Sequence, residues 1–283
     1  MLVPALAAIL LVPLIGQGGP DPSAVISARR LVVERAEHAD AALAVLERAI
    51  APGLDAARRG SAMVVTGTEP PGSELRTAAS ALTSAAGVAG EADAAVHALE
   101  GARRAAGVGS PVALGGSSAE VESIATQLDG TAGAADAFAA MRRRAEGLLL
   151  GLDGALAALE QGSLPQAHDR VVRARADHDT LAGWDVELVT LPIWIETTDA
   201  MIAAVQTIIA ATEGGDDDAA AEAANEFASL AEEAATADRA LRIAIGEGAS
   251  AVTAAPLGRL ADLLREVADT RLEVASILRT VER

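Results

Sequence analysis

Apolar residues that recur at steps of three and four positions constrain the fold of this chain more than any other feature. The clearest series consists of Phe227, Leu230, Ala234, Ala237, Leu241 and Ala244. This spacing places the side chains in one stripe along a helix. The opposite face of that helix carries Glu222, Glu226, Glu232, Glu233, Asp238 and Arg239, as expected for a solvated surface. The apolar stripe therefore needs other helices to cover it.

The rest of the chain supplies similar stripes and no pattern that is typical of strands. A seam at coiled-coil spacing runs through Val32, Ala36, Ala39, Leu43, Leu46 and Ile50. Hydrophobic residues make up 51% of the chain but aromatic residues only 1%, so alanine supplies much of the apolar surface. Alanine favours helices, and alternating β-branched runs are absent. The sequence predicts an all-α fold, an elongated antiparallel bundle of five to seven long alanine-rich segments.

Glycine and proline indicate where the helices end. The pair Pro52-Gly53 and the segment from Gly60 to Gly72 predict a helix end followed by a loop. The glycine-rich residues 107–116 form the strongest linker signal, and Ala255-Pro256 predicts the start of the last helix. These signals divide the chain into an N-terminal helical hairpin at 19–106, a linker at 107–116 and a C-terminal bundle at 117–283.

Polar residues predict several helix starts. Ser117-Ser118-Ala119-Glu120 and Ser163-Leu164-Pro165-Gln166 have the spacing of capping boxes, and Asp216 to Asp218 predict a third cap. The residues before two of these starts are also similar to each other. Residues 157–162 (AALEQG) and 210–215 (AATEGG) match at an offset of 53. A duplicated helical hairpin is one interpretation of this match, and coincidence in an alanine-rich chain is the other.

The N-terminal segment has the character of an export signal. Residues Leu2 to Ile15 form an apolar run that is too short for a standard transmembrane helix and suits the hydrophobic region of a signal peptide. No basic residue precedes Arg29, which is atypical of such signals. We expect residues 1–18 to be a signal-peptide-like or anchor segment of an extracytoplasmic protein. The alternative is a cytoplasmic protein in which this segment packs on the bundle.

The side-chain inventory excludes several kinds of chemistry. The chain contains no cysteine, lysine or tyrosine, so disulfides, thiolate sites and lysine Schiff bases are excluded. The formal net charge of −18 disfavours binding to nucleic acids. The dense basic run Arg142-Arg143-Arg144 favours a solvated helix face over an anion site. The spacing of His38, His97, His168 and His178 matches no di-iron motif. We expect no metal and no organic cofactor.

These features favour a non-enzymatic helical scaffold or protein-interaction module at the cell envelope that binds a protein partner or a second copy of itself. The alternative is a ligand-sensing or solute-binding bundle. Its pocket would lie near Trp184, Pro192 and Trp194, where a proline interrupts the helical pattern. An enzyme that uses carboxylates alone is the least favoured class, because no pair of acidic residues stands out.

Overall fold

The computed structural model describes residues 22–68, 70–107, 112, 114, 116–184 and 188–281. These residues form six α-helices and no strand, which confirms the all-α prediction. The predicted N-terminal segment 1–18 lies outside the described residues. The helices are α1 (Pro22–Thr66), α2 (Pro71–Ala105), α3 (Ser117–Glu160), α4 (Leu164–Ala182), α5 (Leu191–Gly214) and α6 (Asp217–Val281).

The helices build two antiparallel four-helix bundles that share α3 and α6. The first bundle contains α1, α2, the beginning of α3 and the end of α6. The second contains the end of α3, then α4, α5 and the beginning of α6. At about 1.5 Å per residue, α6 is roughly 97 Å long, so it spans both bundles of an elongated molecule. Val112 and Leu114, from the segment between α2 and α3, are buried in the first core.

The two cores are separated by a change in the buried face of α3. Its buried residues follow one another at steps of one, three or four positions, except between Ala139 and Met141. That step of two moves the buried stripe by about 160° around the helix. The buried stripe of α6 has no such step. The two cores therefore lie on opposite sides of α3 and along one side of α6, and Phe138 packs against both of them.

The predicted helix end at Pro52-Gly53 and the predicted loop from Gly60 are wrong, because α1 continues to Thr66 with Pro52 inside it. Both glycines lie against α2. A Cβ at Gly53 would meet Leu82 Cγ at 2.9 Å, and one at Gly60 would meet Leu75 Cδ2 at 2.9 Å. The glycines thus allow close packing of α1 on α2, and this packing outweighs the local cost of an interior proline.

The predicted helix start at Ala255-Pro256 is also wrong, because α6 runs without interruption from Asp217 to Val281. Pro256 lies on the buried stripe of α6. One turn earlier, the hydroxyl of Thr253 lies 2.9 Å from that of Ser61 in α1. Contacts with neighbouring helices on both sides of the proline hold α6 in one piece, which local sequence preference does not register.

The predicted helix starts differ in how they are capped. Asp216 acts as the cap of α6, since its Oδ1 accepts a hydrogen bond from the Ala219 amide at 3.0 Å. The capping box at 117–120 is wrong. There the N-cap is Gly116, and the Ser117 hydroxyl donates to Asp93 Oδ1 in α2 at 2.6 Å. Ser163 stands at the N-cap of α4, but its side chain makes no capping bond.

The similar segments at an offset of 53 form the same kind of helix end. The amide of Ser163 donates to the carbonyl of Ala158 at 2.8 Å, and that of Asp216 donates to Ala211 at 2.9 Å, each beside a glycine with positive φ. This is the Schellman arrangement. The end of α1 has it too, since the Thr68 amide donates to Met63 at 2.9 Å. Common turn chemistry therefore accounts for the glycine that the two segments share.

One described helix, α5, is long and apolar enough by length and composition to cross a membrane. In the fold it packs against α4, α6 and α3. Its buried residues include Trp194, Ile202 and Ile209, which belong to the second core.

Candidate functional site

An apolar groove lies where the last turns of α4 face the first turns of α5. Its volume is about 800 Å³. The apolar part of its lining includes Leu181, Trp184, Leu188, Leu191, Pro192 and Ile195. This volume is within the range of sites that hold small ligands or the side chains of a partner. The groove is the apolar concavity on which we base the functional argument.

Local sequence explains why the helices stop and restart at this place. The α4 helix ends with Gly183 at its C-cap, and the Trp184 amide donates to the Leu181 carbonyl at 3.1 Å. The α5 helix begins at Leu191 with Pro192 in its first turn, where the missing N–H of proline has no helical partner to lose. Leu188, which lies between the two helices in the chain, packs partly against the second core and lines the groove.

The structure places the two predicted binding residues, Trp184 and Trp194, in different surroundings. Trp184 is partly buried and lines the groove. Trp194 is 0% exposed, belongs to the second core and does not line the groove. Its indole Nε1 is buried without a hydrogen-bond partner. Of the residues named from the sequence, the structure thus brings Trp184 and Pro192 together in the groove and sets Trp194 in the core.

His178 joins the two walls of the groove, a role that the sequence analysis did not assign. Its Nε2 lies 3.2 Å from the carbonyl oxygen of Ile195, so Nε2 donates across from α4 to α5. The side chain is buried. A signal for this position exists in the sequence, because His178 continues the buried stripe of α4 that is formed by Ala167, Val171, Ala174, His178 and Leu181.

The polar rim of the groove is acidic. Glu196 is exposed, and none of the described cationic side chains lies within ion-pair distance of it. Asp199 also lines the groove and pairs with Arg175 of α4. The carboxylates that line the groove are thus Glu196 and Asp199, and of these two Asp199 has a described cationic partner. This arrangement favours a cationic group on whatever binds there.

The basic run at 142–144 joins helices. Arg142 donates from α3 to the backbone carbonyl of Val65 at the end of α1. Arg144 pairs with Asp177 of α4 at 2.9 Å. Two of the three arginines therefore hold the α1 and α4 ends against α3 at the boundary between the bundles. This arrangement gives the run a structural role.

A second, polar cavity of about 550 Å³ lies between α3 and α4, where Gly147 and Gly151 leave room. Its charged side chains largely compensate one another. Arg173 pairs with Asp169 at 2.6 Å, and Asp177 is the partner of Arg144. We therefore assign no binding role to this cavity.

Two further histidines make ordinary structural contacts. His168 Nε2 lies 2.8 Å from Glu213 Oε1, and His97 Nδ1 lies 2.8 Å from the Asp93 carbonyl. Within the described ranges, no group of three or more His, Cys, Asp or Glu residues is arranged to hold a metal ion.

The chain matches no protein-family model, no curated protein and no solved structure.

Proposed function

We propose that this chain is a non-enzymatic helical interaction module that presents the α4–α5 groove to another protein. One observation carries the proposal: the groove and the first turn of α5 beside it expose large apolar side chains to solvent. Val189 lines the groove and is 89% exposed, and Ile193, the residue after Pro192, is 60% exposed. Exposed apolar surface of this kind is typical of sites that bind proteins. The two bundles support it.

We further propose that the module works at the cell envelope. The apolar run from Leu2 to Ile15 supports export or anchoring. The first described residues of α1, from Ser23 to Leu31, are almost all exposed. Arg142 contacts the end of α1, and Arg144 pairs with Asp177, the neighbour of the groove residue His178, so the groove is nearer to the end of α1 than to this start. N-terminal sequencing of the native protein tests the location, and an intact Met1 on a cytoplasmic protein would contradict it.

Site-specific photo-crosslinking tests the interaction directly. We expect a photoreactive residue in place of Val189 to give a discrete protein adduct when the protein is expressed in its native cells. Mass spectrometry then identifies the adduct. Val172 is a matched control, because it is an exposed valine of α4 that does not line the groove. Equal labelling at both positions, or none at Val189, would contradict the proposal.

A second candidate function is the binding of a small solute in the same groove, which the partly buried indole of Trp184 favours. The chain has only two tryptophans, and Trp194 is sealed in the core. A solute in the groove should therefore change the emission of Trp184, and Trp184→Phe should abolish the response. A saturable response to a solute, with no adduct at Val189, would favour this function over the first.

A further inference from the structure

We infer that the occupant of the groove is a basic amphipathic helix of a partner protein. This inference rests on the proposed function and specifies the chemistry of the partner. It combines the extent of the apolar surface with the sign of the charge at its rim.

The extent of the apolar surface favours a peptide over a small molecule. A solute that filled the groove would cover Val189 only on the side that lines the groove and would leave Ile193 in water, and these side chains are 89% and 60% exposed. A helix of a few turns can place one apolar side chain in the groove and cover the two exposed ones with others, because residues three and four apart share a face. Covering both side chains adds apolar burial to the binding free energy.

The rim determines the charge of the partner. Glu196 lines the groove, is exposed and has no described cation within pairing distance. Asp199, the other carboxylate of the lining, is more than half exposed and pairs with Arg175. Asp179 does not line the groove, but it follows His178 in the chain and is also more than half exposed. Lysine or arginine beside the apolar face of the incoming helix would pair with the rim. Acidic residues at the same positions would be repelled.

The same charge argument disfavours a second copy of this chain as the occupant. The formal net charge of −18 makes two copies repel each other at low ionic strength. A basic partner meets the opposite condition, because the negative field of the whole molecule accelerates its approach.

Synthetic peptides test the inference on the intact protein. The probe is a helical peptide of about 14 residues with leucine on one face and lysine on both flanks, and the matched control replaces every lysine with glutamate. The emission of Trp184 reports binding. At low salt, we expect the lysine peptide to bind at least roughly tenfold more tightly than the glutamate peptide. This preference should shrink at about 1 M salt, because charges are then screened within about 3 Å.

Substitutions on the protein locate the site. Glu196→Lys should weaken the lysine peptide roughly fivefold at low salt. Glu122→Lys should leave its affinity unchanged. Glu122 is a matched control because it is exposed, has no described ion pair and is the sixth residue of α3, as Glu196 is of α5. Ile193→Ser should weaken binding roughly tenfold through lost apolar burial, whereas Val172→Ser should not.

Three results would overturn the inference. The first is equal affinity for the lysine and glutamate peptides, or no binding of either. The second is full affinity after Glu196→Lys or Ile193→Ser. The third is a change in Trp184 emission with protein concentration alone, together with dimers in sedimentation, which would identify a second copy as the occupant. If the peptides fail while the Val189 crosslink to another protein persists, only the basic helix is refuted and the interaction module stands.

Discussion

The two bundles share α3 and α6, but they differ in the side chains that fill their cores and in the contacts at the surface of each core. In the described first core, the buried side chains are aliphatic and none is aromatic. Around this core, arginines of α6 form ion pairs with the helices packed against α6. Arg259 makes two bonds of 2.7 Å to Glu120 of α3, and Arg271 reaches Asp40 and Glu47 of α1. The second core buries Trp194 and Phe227. It also has the groove on its surface.

The connections between consecutive helices explain the groove on the second core better than the composition of the two cores does. The turn between α5 and α6 is closed by Gly215 and the Asp216 cap, and it leaves no apolar side chain outside the core. The longer connection from Gly183 to Thr190 carries Trp184 and Leu188, which are only partly buried against the second core, and Val189, which is exposed. The groove thus lies where a longer connection interrupts the packing of consecutive helices, whereas a short turn leaves no such groove.

The strongest test of this comparison is Trp194→Ala. Removing a fully buried indole should cost about 3–5 kcal/mol of unfolding free energy. Leu128→Ala in the first core should cost about 2–5 kcal/mol. Because α3 and α6 run through both bundles, we expect each variant to unfold in one urea transition, measured by circular dichroism. Two separate transitions would show that the bundles fold independently.

A gain of stability is expected from Pro52→Ala in the first bundle. An interior proline removes a helical hydrogen bond and costs up to about 3 kcal/mol relative to alanine, and Pro52 is exposed, so its replacement disturbs no core packing. Pro165→Ala in the second bundle is the matched control, because Pro165 is also exposed but lies in the first turn of α4. Equal shifts in urea midpoint for the two variants would contradict this explanation.

The same prolines show what sequence can and cannot predict here. The spacing of apolar residues predicts helices and their buried faces, as at Phe227 and Leu241, because helical periodicity is local. The continuation of α1 through Pro52 and of α6 through Pro256 depends on the helices packed beside them, so local signals predicted breaks. The sequence also indicated a break near Pro192, which is where α5 begins.

The site shows a similar division. Trp184 and Trp194 stood out as rare aromatic residues, but only the fold separates one in a groove from one in a core. The change of buried face between Ala139 and Met141 is visible in the sequence only once the partners of α3 are known. His178 could have been found from the buried stripe of α4. Its partner, the carbonyl of Ile195, lies on another helix and could not.

The boundary between the bundles predicts a difference between two glycines of α6. A Cβ at Gly248 would meet Phe138 Cζ at 2.8 Å, whereas one at Gly246 would meet nothing within 4 Å. Gly246→Ala should therefore stabilise the protein by about 0.5–1 kcal/mol through helix propensity. Gly248→Ala should be about 1–3 kcal/mol less favourable than that, because the clash lies between the two cores.

Urea denaturation of both glycine variants measures this difference, and a second substitution tests its cause. Phe138→Leu removes the ring that the new Cβ would meet, so Gly248→Ala should cost less in that background. If the penalty at Gly248 is unchanged by Phe138→Leu, contact with the ring does not explain it.

The smallest expected effect concerns the ion pair between Glu120 and Arg259. The hydrogen bonds from Arg259 hold the pKa of Glu120 below its usual value of 4.5. A carboxylate with a lowered pKa in the folded state contributes stability above its unfolded pKa. That contribution is lost as the pH falls through the folded pKa. Because both side chains are about one-third exposed, Glu120→Gln should cost only about 0.2–1 kcal/mol at pH 7.

Unfolding free energies measured from pH 7 down to pH 3 distinguish the contribution of this ion pair from that of other carboxylates. The wild-type protein should lose more stability below about pH 4.5 than Glu120→Gln does, and the two curves should converge at the acidic end. Arg259→Gln should converge in the same way, since it removes the partner that lowers the pKa. Glu122→Gln, the neighbouring exposed position, controls for the loss of one negative charge near the start of α3. Parallel curves for wild type and Glu120→Gln would mean that the pairing of Glu120 with Arg259 does not stabilise the first bundle.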